Sequence, residues 1–355
     1  INPDTAGVLS AQEGGFGVGM WNGTTQRMLV TMIRRLPVNI KSKAMRGLMR
    51  RLLLSTAILP EGMAGDGSYV ARRVGLLSNM GDITSVNQLL DATPGRSQIK
   101  QLVRYEADAR FLANDNARAC SLAARQISIE SSAYWQKAFI FCQALAGEHD
   151  KAALGVALLQ DAGDGDEAFF SLVETLAGNP TKIENLPNPS PMHLSIARVT
   201  KSQLPSDVVA SRSPGVLRTI AISPNASVEI RLEAAERAEI AGALDVDTLR
   251  QLYTSVSFSD QDLANPLSKA EAESGPLSRA LLYRTSLIQT VPIAQAEAAA
   301  KALSLGREGG RYISIVRVFM PVLKRIPPTA ELAWFAPEVI RAFLTGGELA
   351  SATPW

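Results

Sequence analysis

The sequence predicts an all-α protein, a helical-repeat solenoid of antiparallel helix pairs, and three observations carry that reading. Apolar residues make up 46% of the chain and aromatic residues only 6%, so the core material is mainly aliphatic and rich in the helix-favouring Ala and Leu. Apolar positions recur at helical spacing, and no segment shows the strict alternation of a half-buried strand. Between residues 69 and 180 a turn pattern returns about every 34 residues, the period of a two-helix repeat.

Residues 1–23 hold Gly14, Gly15, Gly17, Gly19 and Gly23, and are expected to form a flexible arm. The run Gly15 to Gly19 is not a phosphate loop, because no Gly-Lys-Ser/Thr follows it. It is not a dinucleotide fingerprint either, because no strand precedes it and no third glycine sits at the required spacing. Residues 24–60 read as basic N-terminal helices. The first covers 24–36 and stops at Pro37. The second covers 42–59, with Ser42 as its N-cap, and stops at Pro60. Met45, Leu48, Met49, Leu52 and Ile58 fall near one face of the second helix, and Arg46 and Arg50 on another.

In residues 69–180 an amphipathic helix, a short turn with Gly or Asn and an acid, and a second helix follow one another repeatedly. The turns run from Leu77 to Asp82, Leu112 to Asp115, Leu145 to Asp150 and Leu176 to Asn179, so the leading leucines are 35, 33 and 31 residues apart. In the best copy, Tyr134 to Gly163, small residues at the turn let two helices approach. Trp135, Ala138 and Leu145 can then meet Ala152, Val156 and Leu159. The run Gly147 to Ala152 resembles the inter-helix turn of the tetratricopeptide repeat, and Pro94 and Pro180 match that family's closing proline. The resemblance implies that the first helices, at about 99–113 and 132–147, line a concave groove that binds a protein partner, with Arg104 and Lys137 on its surface. The whole chain also resembles a group of Ala-rich helical-repeat proteins of α-proteobacteria, through Trp21 to Thr24, Tyr134 to Ala152 and Ala333 to Pro337. No activity follows from that likeness.

Residues 181–214 contain Pro187, Pro189, Pro191, Pro205 and Pro214, and are expected to be a linker or irregular segment. C-terminal helical repeats then occupy 215–346, with helices at 215–222, 226–242, 245–256, 277–290, 292–305, 308–325 and 329–345. Glu229, Glu233 and Glu236 alternate with Arg231 and Arg237, as on a solvated helix face.

Charge is unevenly spread. The net charge is +2, yet no acidic residue lies between Glu13 and Glu61, a stretch with eight cations. Arg34, Arg35, Lys41, Lys43, Arg46, Arg50 and Arg51, together with Arg27, form a basic patch that could meet an anionic surface, an acidic protein or a polyanion. Nucleic acid is the weakest of these options, since no aromatic residue between Arg27 and Arg51 could stack on a base.

No constellation points to catalysis, a metal or a cofactor. The sequence holds two cysteines, Cys120 and Cys142, and two histidines, His149 and His193, too few for a rich His/Cys site. Asp161, Asp164, Asp166 and Glu167 lack the Glu at the twelfth position of a calcium loop; Asp164 or Asp166 is expected to cap the next helix instead. Glu271 and Glu273 point to different faces of a helix, so they do not form an acid–base pair. Counting outward from the turn near residue 130 places Cys120 and Cys142 at one level of a helix pair, as two buried thiols or as a disulfide.

No apolar run reaches the roughly 18 residues needed to cross a membrane. A start at Ile1 rather than Met is compatible with a removed leader; together with the α-proteobacterial resemblance it makes the periplasm the expected compartment and the cytoplasm the alternative. The leading functional expectation is a non-catalytic scaffold or adaptor. The alternative is the helical superhelix arm of a wall-acting enzyme such as a lytic transglycosylase, with the catalytic domain elsewhere.

Overall fold

The computed structural model describes residues 2–63 and 65–355; Ile1, the first residue of the expected arm, lies outside them. The described residues are 65% helix with no strand among them, which agrees with the all-α reading. Its helices divide into two compact units, Ile1–Ser227 and Val228–Trp355.

Unit 1 contains α1 (Gln26–Arg35), α2 (Lys43–Leu54), α3 (Ser68–Met80), α4 (Ile83–Ala92), α5 (Lys100–Leu112), α6 (Asn116–Gln126), α7 (Ala133–Leu145), α8 (His149–Asp161), α9 (Glu167–Leu176), α10 (Pro191–Thr200) and α11 (Pro214–Ala221). The pairs α3/α4, α5/α6 and α7/α8 pack antiparallel as consecutive hairpins. Each hairpin turn passes through one left-handed residue: Gly81, Asn114 and Gly147, all with φ between 59° and 79°. Asn is the side chain that tolerates this conformation best after Gly, so the second turn keeps the geometry without a glycine. Ser42 caps α2 by accepting from the Met45 amide, and Asp166 caps α9 by accepting from Phe169.

Residues 2–23 do not form the flexible arm that their glycines suggest. The amides of Val8 and Leu9 both donate to the Leu54 carbonyl, and those of Thr56 and Ile58 donate to Leu9 and Val18. This pairing draws Ser55–Ile58 out of helix, which is why α2 stops at Leu54 and not near residue 59. Gly15 is needed for closeness: a Cβ there would lie 2.6 Å from the Leu9 carbonyl oxygen. Asp4, only 1% exposed, accepts from the Gly67 and Val70 amides at 3.0 and 2.8 Å. It therefore caps α3, whose own N-cap Gly67 has no side chain to do so.

The proline-rich segment 181–214 is likewise not a simple linker, because it contains α10. Pro191 sits at the first helical position, where its missing N–H costs nothing. Ser190 and His193 close a reciprocal capping box ahead of it. The helix packs on α5 and α9, and α11 packs back on α3.

Unit 2 contains α12 (Val228–Ile240), α13 (Val246–Ser255), α14 (Asp260–Ala264), α15 (Pro266–Ala272), α16 (Pro276–Ile288), α17 (Pro292–Glu308), α18 (Tyr312–Leu323), α19 (Ala336–Gly346) and α20 (Leu349–Ala352). The segment 329–345, read from sequence as one helix, is a short 3-10 turn followed by α19, whose first turn holds Pro337. Helix α12 is packed by α13, α16 and α18. Its acids do not form a solvated face: Glu236 is fully buried and Glu239 is 5% exposed.

Removing the Asp4 carboxylate leaves two buried amides without an acceptor. Asp4→Ala is expected to destabilise unit 1 by about 2–4 kcal/mol, read as a lower urea midpoint of its unfolding transition. An unchanged midpoint would show that the N-terminal segment does not hold α3.

Candidate functional site

The first helices of successive repeats place one cation each at equivalent positions: Arg72 on α3, Arg104 on α5 and Lys137 on α7. Tyr105 on α5 comes so close to α3 that a Cβ on Gly75 would lie 2.1 Å from its hydroxyl. Burial raises the Tyr105 pKa, and Arg104 and Arg72 both act against that rise. Arg72 therefore belongs to the same row, a member the sequence reading missed; the spacing of 32 and 33 residues along the chain was the signal that could have found it.

Arg104 and Lys137 meet different fates. The Arg104 guanidinium is exposed and lies 4.3 Å from the centroid of the Tyr134 ring. The Tyr134 hydroxyl donates to Asp108 Oδ1 at 2.7 Å. The result is a cation held open to solvent on an aromatic platform that is itself pinned by a carboxylate. Burial pushes the Asp108 pKa up to about 6, against the Tyr134 hydrogen bond and the Arg104 charge, which both lower it. Lys137, by contrast, is turned inward. Its Nζ lies 2.9 Å from both Asp164 and Asp166, and its side chain is 17% exposed.

Asp166 is the centre of a second network. His193 Nδ1 accepts from the Ser190 amide, so its Nε2 carries the proton and donates to Asp166 at 3.0 Å. Burial alone would raise the Asp166 pKa, but the His193 and Lys137 contacts outweigh it and hold the carboxylate well below its usual range. Ser190 spends its hydroxyl on the His193 amide. This is a helix-joining knot between α7, α9 and α10, and not a Ser–His–Asp arrangement. Ser195 on α10 also donates to Asn116, and Arg198 to the Leu112 carbonyl. The side of the repeat lined by α5 and α9 is thus occupied by the chain's own helix, and the groove expected there is filled around Lys137.

Of the basic patch, Arg46, Arg50 and Arg51 are engaged by neighbouring groups of unit 1, Arg51 while remaining exposed. Arg46 donates to the Ile40 and Lys41 carbonyls, Arg50 to Ser85 with Asp82 3.3 Å away, and Arg51 to the Gly14 carbonyl. Arg34, Arg35, Lys41 and Lys43 remain exposed. Cys120 on α6 and Cys142 on α7 are joined by a disulfide, with Cα atoms 5.5 Å apart.

In unit 2 the buried charge is Glu236. It accepts from Arg279 at 2.8 and 2.6 Å and from the Tyr253 hydroxyl. Arg311 pairs with Glu233, and Arg317 with Glu239. The acids and the arginines satisfy one another inside the helix packing. Nearby, a 310 Å³ cavity is lined by Val228, Leu232, Leu252, Val256 and Leu277, with Arg231, Ser255 and Ser257 at its edge. It stands at the small end of ligand pockets. No group of three or more His, Cys, Asp or Glu suited to a metal occurs among the described residues.

Comparisons with protein-family models, with curated proteins and with solved structures give no match to this chain.

The Asp108 assignment gives a pH prediction. A folded pKa above the ordinary aspartate value of 3.8 means that the Asp108 contribution to stability is complete below about pH 4 and is lost as pH rises through about 6. Tyr134→Phe removes one of the two influences that lower the Asp108 pKa. A carboxyl-detected NMR titration should then find Asp108 titrating above the wild-type value of about 6. An unchanged or lower value would refute the Tyr134–Asp108 coupling.

Proposed function

We propose that the chain is a non-catalytic interaction scaffold that binds a protein partner at the exposed surface around Arg104. The observation that carries this reading is the exposed Arg104 guanidinium resting on Tyr134, whose hydroxyl is fixed by Asp108. A stacked guanidinium has lost little further freedom when it pairs with a carboxylate, so it suits recognition of an acidic segment. Arg72, half-buried on the preceding first helix, extends the same cationic row. Lys137 holds the row's shape from inside and does not touch the partner, which revises the sequence expectation that both cations contact it.

The Cys120–Cys142 link supports placing the chain in an oxidising compartment such as the periplasm. It closes a loop of 22 residues, a constraint on the unfolded chain of about 3 kcal/mol in the chain-entropy treatment.

Two measurements test this reading. Affinity purification from the native organism with wild type and with Arg104→Glu should show a partner that the wild type retains and the variant loses. The circular dichroism spectrum should not change, because Arg104 is on the surface. Equal retention by both proteins would remove the Arg104 face as the binding site. For the compartment, thiol titration of the denatured, unreduced native protein should find no free thiol. Two free thiols would withdraw the argument for an oxidising environment.

A further inference from the structure

The N-terminal helices of unit 1 each carry an apolar stripe that the fold leaves uncovered. On α1, Leu29 and Ile33 are buried at 0% and 2% exposure, while Met28 and Met32, one turn apart, are 55% and 44% exposed. On α2, Met49 and Leu53 are buried, while Met45 and Leu48 are 54% and 41% exposed. Leu52 continues the α2 stripe and packs against the cluster that contains Leu29 and Ile33. The stripe is therefore continuous with the hydrophobic cluster under α1. Phe16 adds an exposed ring beside Arg51, 5.1 Å from its guanidinium.

The cations of this region sort by the same geometry. Arg46, Arg50 and Arg51 are engaged by neighbouring groups within unit 1, as described above. Arg27, Arg34, Arg35, Lys41 and Lys43 are exposed and have no ion-pair partner among the described residues. No acidic residue lies between Glu13 and Glu61 to neutralise them. On α1 the two kinds of residue lie side by side: Arg35 continues the line of Met28 and Met32, and Arg27 and Arg34 form the adjoining line.

We propose that this surface docks reversibly on an anionic phospholipid bilayer. Met28, Met32, Met45 and Leu48 enter the headgroup boundary, and the five outward cations pair with lipid phosphates. The charge is complementary to such a surface, and the apolar groups are of the kind that insert there. They are unbranched or flexible side chains standing between cations on helix surfaces, the pattern of interfacial helices. A protein partner is usually held by aromatic anchors in pockets, and the exposed residues of α1 and α2 form no such anchors. Phe16, beside Arg51, adds a ring of the kind that the apolar side of interfacial segments carries. The site is separate from Arg104 and stands whether or not the repeat face binds a protein.

The test is co-flotation of the full chain with vesicles of phosphatidylglycerol and phosphatidylcholine in equal parts, and with phosphatidylcholine alone. Binding is expected to the mixed vesicles, to fall as salt is raised, and to be absent or far weaker with the neutral ones. Arg34→Glu with Arg35→Glu should weaken it at least about tenfold. Met28→Ser with Met32→Ser should weaken it at low salt without changing the circular dichroism spectrum. These positions are on the surface, so the fold is expected to survive both pairs of changes. Failure to float with the mixed vesicles would overturn the proposal, as would equal binding to both vesicle types. Wild-type binding by the Arg34→Glu, Arg35→Glu protein would do the same. Binding to poly-glutamate with no vesicle binding would also overturn it, and would give the surface to an acidic protein instead.

Discussion

A charge placed in a protein interior must bring its partners with it, and each unit of this chain is arranged around one such charge. In unit 1 it is Arg73, 1% exposed. Its guanidinium donates to the carbonyls of Leu53, Ser55, Asp4 and Ala6 and lies 4.7 Å from the Tyr69 ring centroid. Those carbonyls belong to the end of α2 and to the N-terminal segment. One side chain on α3 therefore fixes where two other segments must run. Asp4 in turn caps the same helix with its carboxylate. Burial lowers the Arg73 pKa, and Tyr69 and Asp4 counter that effect. Breaking such an arrangement costs more than forming it gains, because the partners stay buried and unpaired.

Unit 2 follows the same rule with the sign reversed. Glu236 is the buried group, and Arg279 and Tyr253 come to it from α16 and α13. Burial drives the Tyr253 pKa well up, and the neighbouring Glu236 adds to that, so the phenol stays a donor. Glu233, Glu236 and Glu239 are spaced three apart and lie along one side of α12. Arg311, Arg279 and Arg317 meet them in turn. The helix is held by directional pairs as well as by its alanines.

Charges engaged within the fold are distinct from charges left facing solvent. Lys137, Asp166 and His193 bond one another between helices, while Arg46 and Arg51 are engaged by backbone carbonyls and Arg50 by Ser85 and Asp82. Arg104 and the outward cations of α1 and α2 remain facing solvent. Arg104 is stiffened by Tyr134, whereas the α1 and α2 cations stand among exposed methionines. These are two different surfaces, one suited to a directed carboxylate contact and the other to a diffuse anionic plane.

Local signals were enough to set the helical class, the hairpin turns at Gly81, Asn114 and Gly147, the caps at Ser42 and Asp166, and the pairing of α6 with α7 that brings Cys120 to Cys142. All of these depend on residues a few positions apart or on one repeat period, so the sequence carries them. Pairings across long separations were not legible. The glycine at position 15 signals freedom in one dimension, and only the approach of Leu9 and Ser55 turns it into a close-packed position. Prolines at 187–191 signal a break, and only the seat between α5 and α9 makes α10 a packed helix. Glu236 and Lys137 read as surface charges until Arg279, 43 residues away, and Asp166, 29 residues away, arrive beside them. Helical periodicity tells which residues share a face. Whether that face meets water, a partner or an opposite charge is decided only when distant helices come together, because burial and electrostatic pairing are properties of the assembled surroundings.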